Sequence, residues 1–85
     1  MKNQTPNTSI ELSVRAQLDQ YFSDLGGSEP RDVLAMVIDC VERPVLQIVL
    51  DRTNGNQSRA AEILGITRTT LRRKLARHNI QPGSN

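Results

Sequence analysis

Cysteine and aromatic residues are almost absent from this chain of 85 residues. The single cysteine, Cys40, excludes an intrachain disulfide and a cysteine-based metal site. Tyr21 and Phe22 are the only aromatic residues, so any core must be aliphatic. No apolar run approaches the roughly 18 residues that a membrane span requires, and the polar N-terminus lacks the apolar segment of a signal peptide. The sequence therefore predicts a cytoplasmic protein.

Groups that could carry catalysis are equally scarce. His78 is the only histidine, and its place near the chain end favours a capping or core-edge role. The sequence shows no nucleophile paired with a base, no phosphate-binding loop and no cluster of metal ligands. We therefore expect a protein that is not an enzyme and that needs neither a metal nor another cofactor.

Charge is divided unevenly along the chain, although the total is only +2. Residues 1–51 hold four basic and eight acidic groups, a net charge of −4. Residues 52–85 hold seven basic groups and one acidic group, a net charge of +6. Basic charge gathered at one end is typical of proteins that bind polyanions, but a solvated basic helix explains it equally well.

The N-terminal part predicts a tail followed by one amphipathic helix. Residues 1–8 are polar and lack periodicity, which favours a disordered tail. Thr8 and Glu11 have the spacing of a capping box, and Gly26-Gly27 can end the helix in a left-handed conformation. Between them the apolar residues recur every three or four positions: Val14, Leu18, Tyr21, Phe22 and Leu25.

A second, longer helix is predicted to begin near residues 28–30 and to stop at Asn54-Gly55. Pro44 lies inside it, and we expect a kink there because the apolar periodicity continues in phase and no turn residues flank the proline. Cys40 falls on this helix and is interpreted as a packing residue. The apolar stripe consists of Val33, Leu34, Val37, Ile38, Val41, Val45, Ile48 and Val49.

The apolar stripes of these two helices present more surface than the rest of one short chain can cover. We therefore predict that residues 9–54 are dimerisation helices, which bury their stripes in an intertwined homodimer. The alternative is a monomer in which the C-terminal helices fold over the stripe.

The C-terminal part has the pattern of a helix-turn-helix over residues 55–80, with the motif at about 57–76 and a short tail at 81–85. Asn56 is the expected cap of a helix over residues 57–64, and Thr67 of a helix that ends near His78. A glycine turn at Gly65 separates them, and Ala61 is small enough for a close crossing. The expected local core consists of Ala60, Leu64, Ile66, Leu71 and Leu75.

Arg68 stands at the start of the last helix, where a recognition helix meets base edges in the major groove of DNA. Arginine can bind the two acceptors of guanine with two parallel hydrogen bonds. Further basic and polar groups on this helix and at the start of the preceding one are expected to contact phosphates: Asn56, Gln57, Ser58, Arg72, Arg73 and Lys74.

These C-terminal motifs, TNGNQSRAA at residues 53–61 and LGITRTTLRRKL at residues 64–75, resemble those of the Fis family (factor for inversion stimulation). The likeness continues upstream through residues 41–44, where that family has a proline-kinked helix. Enhancer-binding activators of the nitrogen-regulation type end in the same motif.

The resemblance to Fis implies an all-α homodimer of four helices per chain. It implies a nucleoid-associated transcriptional regulator that binds double-stranded DNA with weak sequence preference and bends the duplex. Arg68 matches the guanine-reading arginine, and Thr67 replaces an asparagine that also touches bases. Residues 1–9 are shorter than the arm that contacts recombinases in some members, so contact with a recombinase is not carried over from the family. The positions that match residues near the DNA backbone are Asn56, Gln57, Ser58, Thr70, Arg72, Arg73 and Lys74.

Two alternatives stay open at this point. The chain could be the detached C-terminal domain of an enhancer-binding activator, although Met1 and the complete two-helix front favour a separate protein. It could also be a helical protein-interaction module without a nucleic-acid partner. The two classes differ in salt dependence, because binding through several phosphates weakens steeply as salt rises.

Overall fold

The computed structural model of the protein describes residues 5–82. This part of the chain is all-α, as predicted, and contains four helices and no strand. It divides into two compact units, with the boundary between Val33 and Leu34. The helices are α1 (Thr5–Leu25), α2 (Val33–Arg52), α3 (Gln57–Leu64) and α4 (Arg68–Arg77).

Helix α1 begins at Thr5, three residues before the predicted capping box. Residues 5–8 are therefore helical, and the prediction of a disordered tail over 1–8 is wrong for them; residues 1–4 lie outside the described range. Pro6 explains the earlier start, because a proline in the first helical turn lacks only an N–H that would have no helical partner anyway. The helix ends as predicted, with Gly26 in the left-handed region at φ 62°.

Helix α2 begins at Val33 and not near residues 28–30. Asp32, directly before it, has a φ of 49°, which cannot continue into a right-handed helix and so sets the boundary. The helix runs without interruption across Pro44, as predicted, and the kink expected there stays a prediction. Beyond Arg52 the backbone turns through Asn54 and Gly55, whose φ angles are 55° and 81°.

The core of the second unit joins α2 to the α3–α4 pair. Its buried side chains are Leu46, Leu50, Ala60, Ala61, Leu71 and Leu75. Val49, Leu64, Ile66 and Ile80 are partly buried and pack against this cluster. The predicted local core is thus confirmed for α3 and α4, but the sequence did not single out Leu46 and Leu50.

The predicted stripe of α2 is largely uncovered in the single chain. Exposed large apolar side chains on this helix are Leu34, Ile38, Val41, Val45 and Ile48. The α3–α4 pair packs on the side marked by Leu46 and Leu50, so it does not fold over the stripe as the monomer alternative required. Cys40 is also exposed, which corrects its interpretation as a packing residue within one chain.

None of the helices within residues 5–82 is both long enough and apolar enough to cross a membrane.

Candidate functional site

The turn between α3 and α4 is built by local hydrogen bonds, as the sequence predicted. Asn56 caps α3: its Oδ1 accepts from the backbone N–H of Arg59 at 3.0 Å. Gly65 ends α3 in the left-handed region at φ 78°, and its N–H donates to the carbonyl of Ala61 at 2.9 Å. Ala60 and Ala61 are fully or almost fully buried, which lets the two helices of the motif approach closely.

Thr67 caps α4, again as predicted. Its Oγ1 accepts from the backbone N–H of Thr70 at 3.1 Å, and its hydroxyl donates to Thr70 Oγ1 at 2.9 Å. The Thr67 hydroxyl therefore makes two internal hydrogen bonds that hold the first turn of the helix. The Thr70 hydroxyl accepts one of them and keeps its own proton to donate to an outside acceptor.

Arg68, the first residue of α4, lies beside the start of α3. Together they line one open groove of about 480 Å³, whose lining residues are Thr53, Asn54, Gly55, Asn56, Gln57, Ser58 and Arg68. None of these residues is acidic. The free N–H groups and positive dipole end of α3 add to the Arg68 charge, so the groove is suited to an anion.

Gln57 brings an unsatisfied group to this groove. Its side-chain Oε1 is buried and has no hydrogen-bond partner in the part of the chain that the structure describes. A buried polar atom without a partner costs about 1–3 kcal/mol, which a bound ligand or water can recover. Since rotation exchanges the oxygen and nitrogen of an amide, Gln57 can offer either an acceptor or a donor.

The basic side chains of α4 fall into two groups. Arg68, Arg72 and Arg73 are exposed and have no carboxylate partner within residues 5–82. Lys74 and Arg77 instead pair with α2: Lys74 Nζ lies 2.6 Å from Glu42 Oε2, and Arg77 Nη2 lies 2.8 Å from Asp39 Oδ2. The structure thus brings four of the nine predicted site residues together in the groove and pairs Lys74 with α2; the groove residues among the nine are Asn56, Gln57, Ser58 and Arg68.

His78 is buried and caps the C-terminal end of α4, which confirms the core-edge interpretation. Its Nε2 lies 3.0 Å from Glu42 Oε1, and its backbone carbonyl accepts from Arg43 Nη2. The hydrogen bonds from Lys74 and His78 hold the pKa of the Glu42 carboxyl below its usual value of 4.5, although partial burial acts in the opposite direction.

The α2 partners in this network, Asp39 and Glu42, were not predicted from the sequence. The signal that could have found them is a match in spacing. Acidic Asp39 and Glu42 are three positions apart on α2, as are basic Lys74 and Arg77 on α4, so facing turns can pair. Asp39, Glu42 and His78 place oxygen and nitrogen atoms within 4.8 Å of one another. Because Lys74 and Arg77 already neutralise the two carboxylates, we interpret this cluster as an ion-pair network.

Comparison with known proteins gives a consistent result. Residues 38–78 match the family described as bacterial regulatory proteins, Fis family. A Fis-like DNA-binding protein of Neisseria meningitidis serogroup A is 46% identical over 77 residues, which are 88% of this chain and 98% of that protein. A Fis-like DNA-binding protein of Ralstonia nicotianae is 46% identical over 71 residues, 84% of this chain and 92% of that protein. The DNA-binding protein Fis of Mannheimia haemolytica is 40% identical over 77 residues, 91% of this chain and 79% of that protein.

Proposed function

Because the chain belongs to the Fis family of bacterial regulatory proteins, we propose that it binds double-stranded DNA with α4 as its recognition helix. The observation that carries this proposal is the groove in which Arg68 lies beside the N-terminal end of α3. A regulator of this kind has no catalytic step, in agreement with the expectation that the protein is not an enzyme.

Base reading rests on Arg68. It is exposed, stands in the first turn of α4 and has no carboxylate partner among the described residues, so its guanidinium can extend toward a guanine edge. Thr67, its neighbour, uses its hydroxyl inside the helix cap, so it has little left to offer a base. We infer that sequence preference depends mainly on this one arginine.

Phosphate contacts come from two places. Arg72 and Arg73 provide exposed positive charge on α4 that no carboxylate within residues 5–82 neutralises, and the Thr70 hydroxyl can donate from the same helix. Residues 56–58 present backbone N–H groups and polar side chains at the start of α3. Lys74 is left out of this set because its ammonium is bonded to Glu42.

The test compares Arg68→Ala with Arg59→Ala, an exposed arginine of α3 that pairs with Glu62 outside the groove. Fluorescence anisotropy would measure affinity for a duplex selected by the wild-type protein and for a scrambled duplex of the same composition. Arg68→Ala should lose about 1–3 kcal/mol of discrimination between the duplexes. Arg59→Ala should keep it, and an equal loss on both duplexes by Arg68→Ala would contradict base reading.

We propose further that the protein is a homodimer joined through α1 and α2. The exposed apolar residues of α2 lie at positions 34, 38, 41, 45 and 48, an alternation of four and three residues. This spacing is that of a seam between two packed helices. Such a seam left open to water is unfavourable, and a second copy of the chain can cover it.

Sedimentation equilibrium with and without the selected duplex tests this arrangement. Two chains bound to one duplex support it, whereas one chain per duplex would contradict it. A dimer also presents two recognition helices, and we propose that the duplex bends to meet both. Circular-permutation gel shifts measure that bend, and Pro44→Ala should change it if the proline shapes α2.

The role that follows is that of a nucleoid-associated transcriptional regulator in the cytoplasm. The relatives from Neisseria and Ralstonia are matched along 98% and 92% of their own lengths, which favours a Fis-like protein over a domain of an enhancer-binding activator. Salt dependence separates DNA binding from the protein-interaction alternative. Binding through several phosphates should weaken by orders of magnitude between about 50 and 200 mM salt.

A further inference from the structure

The C-terminal end of α4, remote from Arg68, is joined to α2 by polar contacts between four pairs of residues. Glu42 uses both carboxylate oxygens: Oε2 lies 2.6 Å from Lys74 Nζ, and Oε1 lies 3.0 Å from His78 Nε2. Arg77 Nη2 donates to both oxygens of Asp39 at 3.0 and 2.8 Å. Arg43 donates to the backbone carbonyl of His78, at the negative end of the α4 dipole.

These contacts differ in how well water can reach them. The side chains of Glu42 and Lys74 are 23% and 32% exposed, and that of His78 is 7% exposed. Those of Arg77 and Asp39 are 60% and 42% exposed, so the surrounding water weakens their attraction. The Glu42 carboxylate is therefore the central element of the network.

The geometry around Glu42 constrains how α4 can rotate about its axis. Lys74 and His78 are four residues apart, one turn along the same side of the helix, and a single carboxylate bonds to both. Leu71 and Leu75 pack into the core beside them, but apolar contacts have little directional preference. Hydrogen bonds are directional, so the two bonds to Glu42 select one orientation of the helix.

This orientation is transmitted to the other end of the helix. Arg68 lies ten residues before His78, or roughly 15 Å along a stiff α-helix. A rotation at the C-terminal turn therefore also turns the Arg68 side chain, whose two-bond contact with a base tolerates little misalignment. Lys74 is also roughly 200° around the axis from Arg72, which directs the two charges to different sides.

We propose that Glu42 is a positioning residue for the recognition helix, whose carboxylate holds Lys74 and His78 so that Arg68 meets the base edge. Lys74 then belongs to this internal contact and does not bind phosphate. The inference rests on the proposed DNA binding and adds a residue of α2 that lies outside the groove.

The principal experiment compares Glu42→Gln with Asp39→Asn, which removes the exposed carboxylate of the same network. Circular dichroism and thermal unfolding establish that each variant is folded. Affinity is then measured by anisotropy for the selected duplex and for its scrambled counterpart. Glu42→Gln should reduce the ratio of the two affinities by about tenfold, whereas Asp39→Asn should change it less than twofold.

A second variant, Lys74→Gln, gives a readout that loss of stability alone would not change. If Lys74 binds phosphate, its removal reduces the magnitude of the slope of log K against log salt by about 0.9 per chain, or about 1.8 for the two chains of the proposed dimer. If Lys74 acts through Glu42, the slope is unchanged, while the ratio of the affinities for the selected and scrambled duplexes falls. Arg73→Gln, on the exposed side, serves as the control that should reduce the magnitude of the slope.

The outcomes separate the two proposals. If the wild-type protein binds neither duplex, both the DNA-binding function and the positioning role are rejected. If the wild type binds and Glu42→Gln retains the wild-type ratio, the positioning role alone is rejected. If Glu42→Gln does not fold, Lys74→Gln decides: a slope of reduced magnitude overturns the inference, and an unchanged slope with a reduced ratio supports it.

Discussion

The two units of the chain differ in what they can bury by themselves. Residues 34–85 contain a cluster of six buried apolar side chains, drawn from α2, α3 and α4. Within residues 9–33 no described side chain is buried, and Ile10, Leu12 and Phe22 of α1 are about half exposed or more. The second unit thus has a core of its own, whereas the large apolar residues Ile10, Leu12 and Phe22 of α1 stay exposed in the single chain.

Helix α2 shows the same contrast within one element. Leu46 and Leu50 are buried in the core, while Leu34, Ile38 and Ile48 are exposed in the single chain. One side of the helix therefore supports the α3–α4 pair, and another is available for a second copy. This division is consistent with the proposed dimer, because the side of α2 that supports the α3–α4 pair is not the side that stays exposed.

The largest expected effect tests how tightly the core of the second unit is packed. Leu71 is fully buried between the helices of the motif, so Leu71→Ala should reduce the free energy of unfolding by about 2–5 kcal/mol. Urea unfolding followed by circular dichroism measures this loss. A loss below about 1 kcal/mol would show that the site collapses around the missing atoms and that the core is less well packed than it is in the structure.

The next prediction compares apolar residues of the two units that are equally exposed in one chain. Phe22 of α1 is 47% exposed and Ile63 of α3 is 52% exposed. Phe22→Ala should weaken self-association at least tenfold, because we place α1 in the dimer interface, and Ile63→Ala should leave it unchanged. Sedimentation equilibrium measures both, and equal behaviour of the two variants would contradict the difference drawn between the units.

A smaller effect is expected at the start of α3. Asn56 Oδ1 caps the helix through the N–H of Arg59, and Asn56→Ala should destabilise the second unit by about 1 kcal/mol. Asn56→Ser, which can still cap, should lose much less. Thermal unfolding of the two variants distinguishes loss of the cap from loss of side-chain volume.

The smallest effect is a dependence of stability on pH that comes from Glu42. Its pKa is lowered in the folded protein, so its stabilising contribution is present above the usual value of 4.5 and is lost as pH falls through the folded pKa. The difference in melting temperature between the wild type and Glu42→Gln should therefore shrink below about pH 4.5. Glu62→Gln, which alters the exposed pair with Arg59, should show little difference at any pH.

Much of the C-terminal motif was predictable. The bounds of α3, the caps Asn56 and Thr67 and the turn at Gly65 all agree with expectation. The starts of α1 and α2 did not agree. Thr8 had the pattern of a cap but lies within a helix that begins at Thr5, and Asp32 determines the start of α2 through a left-handed φ that its residue type does not require.

The sequence by itself determined the features that depend on neighbours within a few positions. Asn56 bonds to the backbone three residues on, Thr67 does the same, and Gly65 tolerates the φ that the turn needs. Only the tertiary structure decided which side of α2 enters the core and which cations remain unpaired. Lys74 and Glu42 are 32 positions apart, so the matching three-residue spacings on α2 and α4 do not by themselves bring them together. Their contact depends on how the α3–α4 pair packs on Leu46 and Leu50, and in that arrangement Arg68, Arg72 and Arg73 stay exposed.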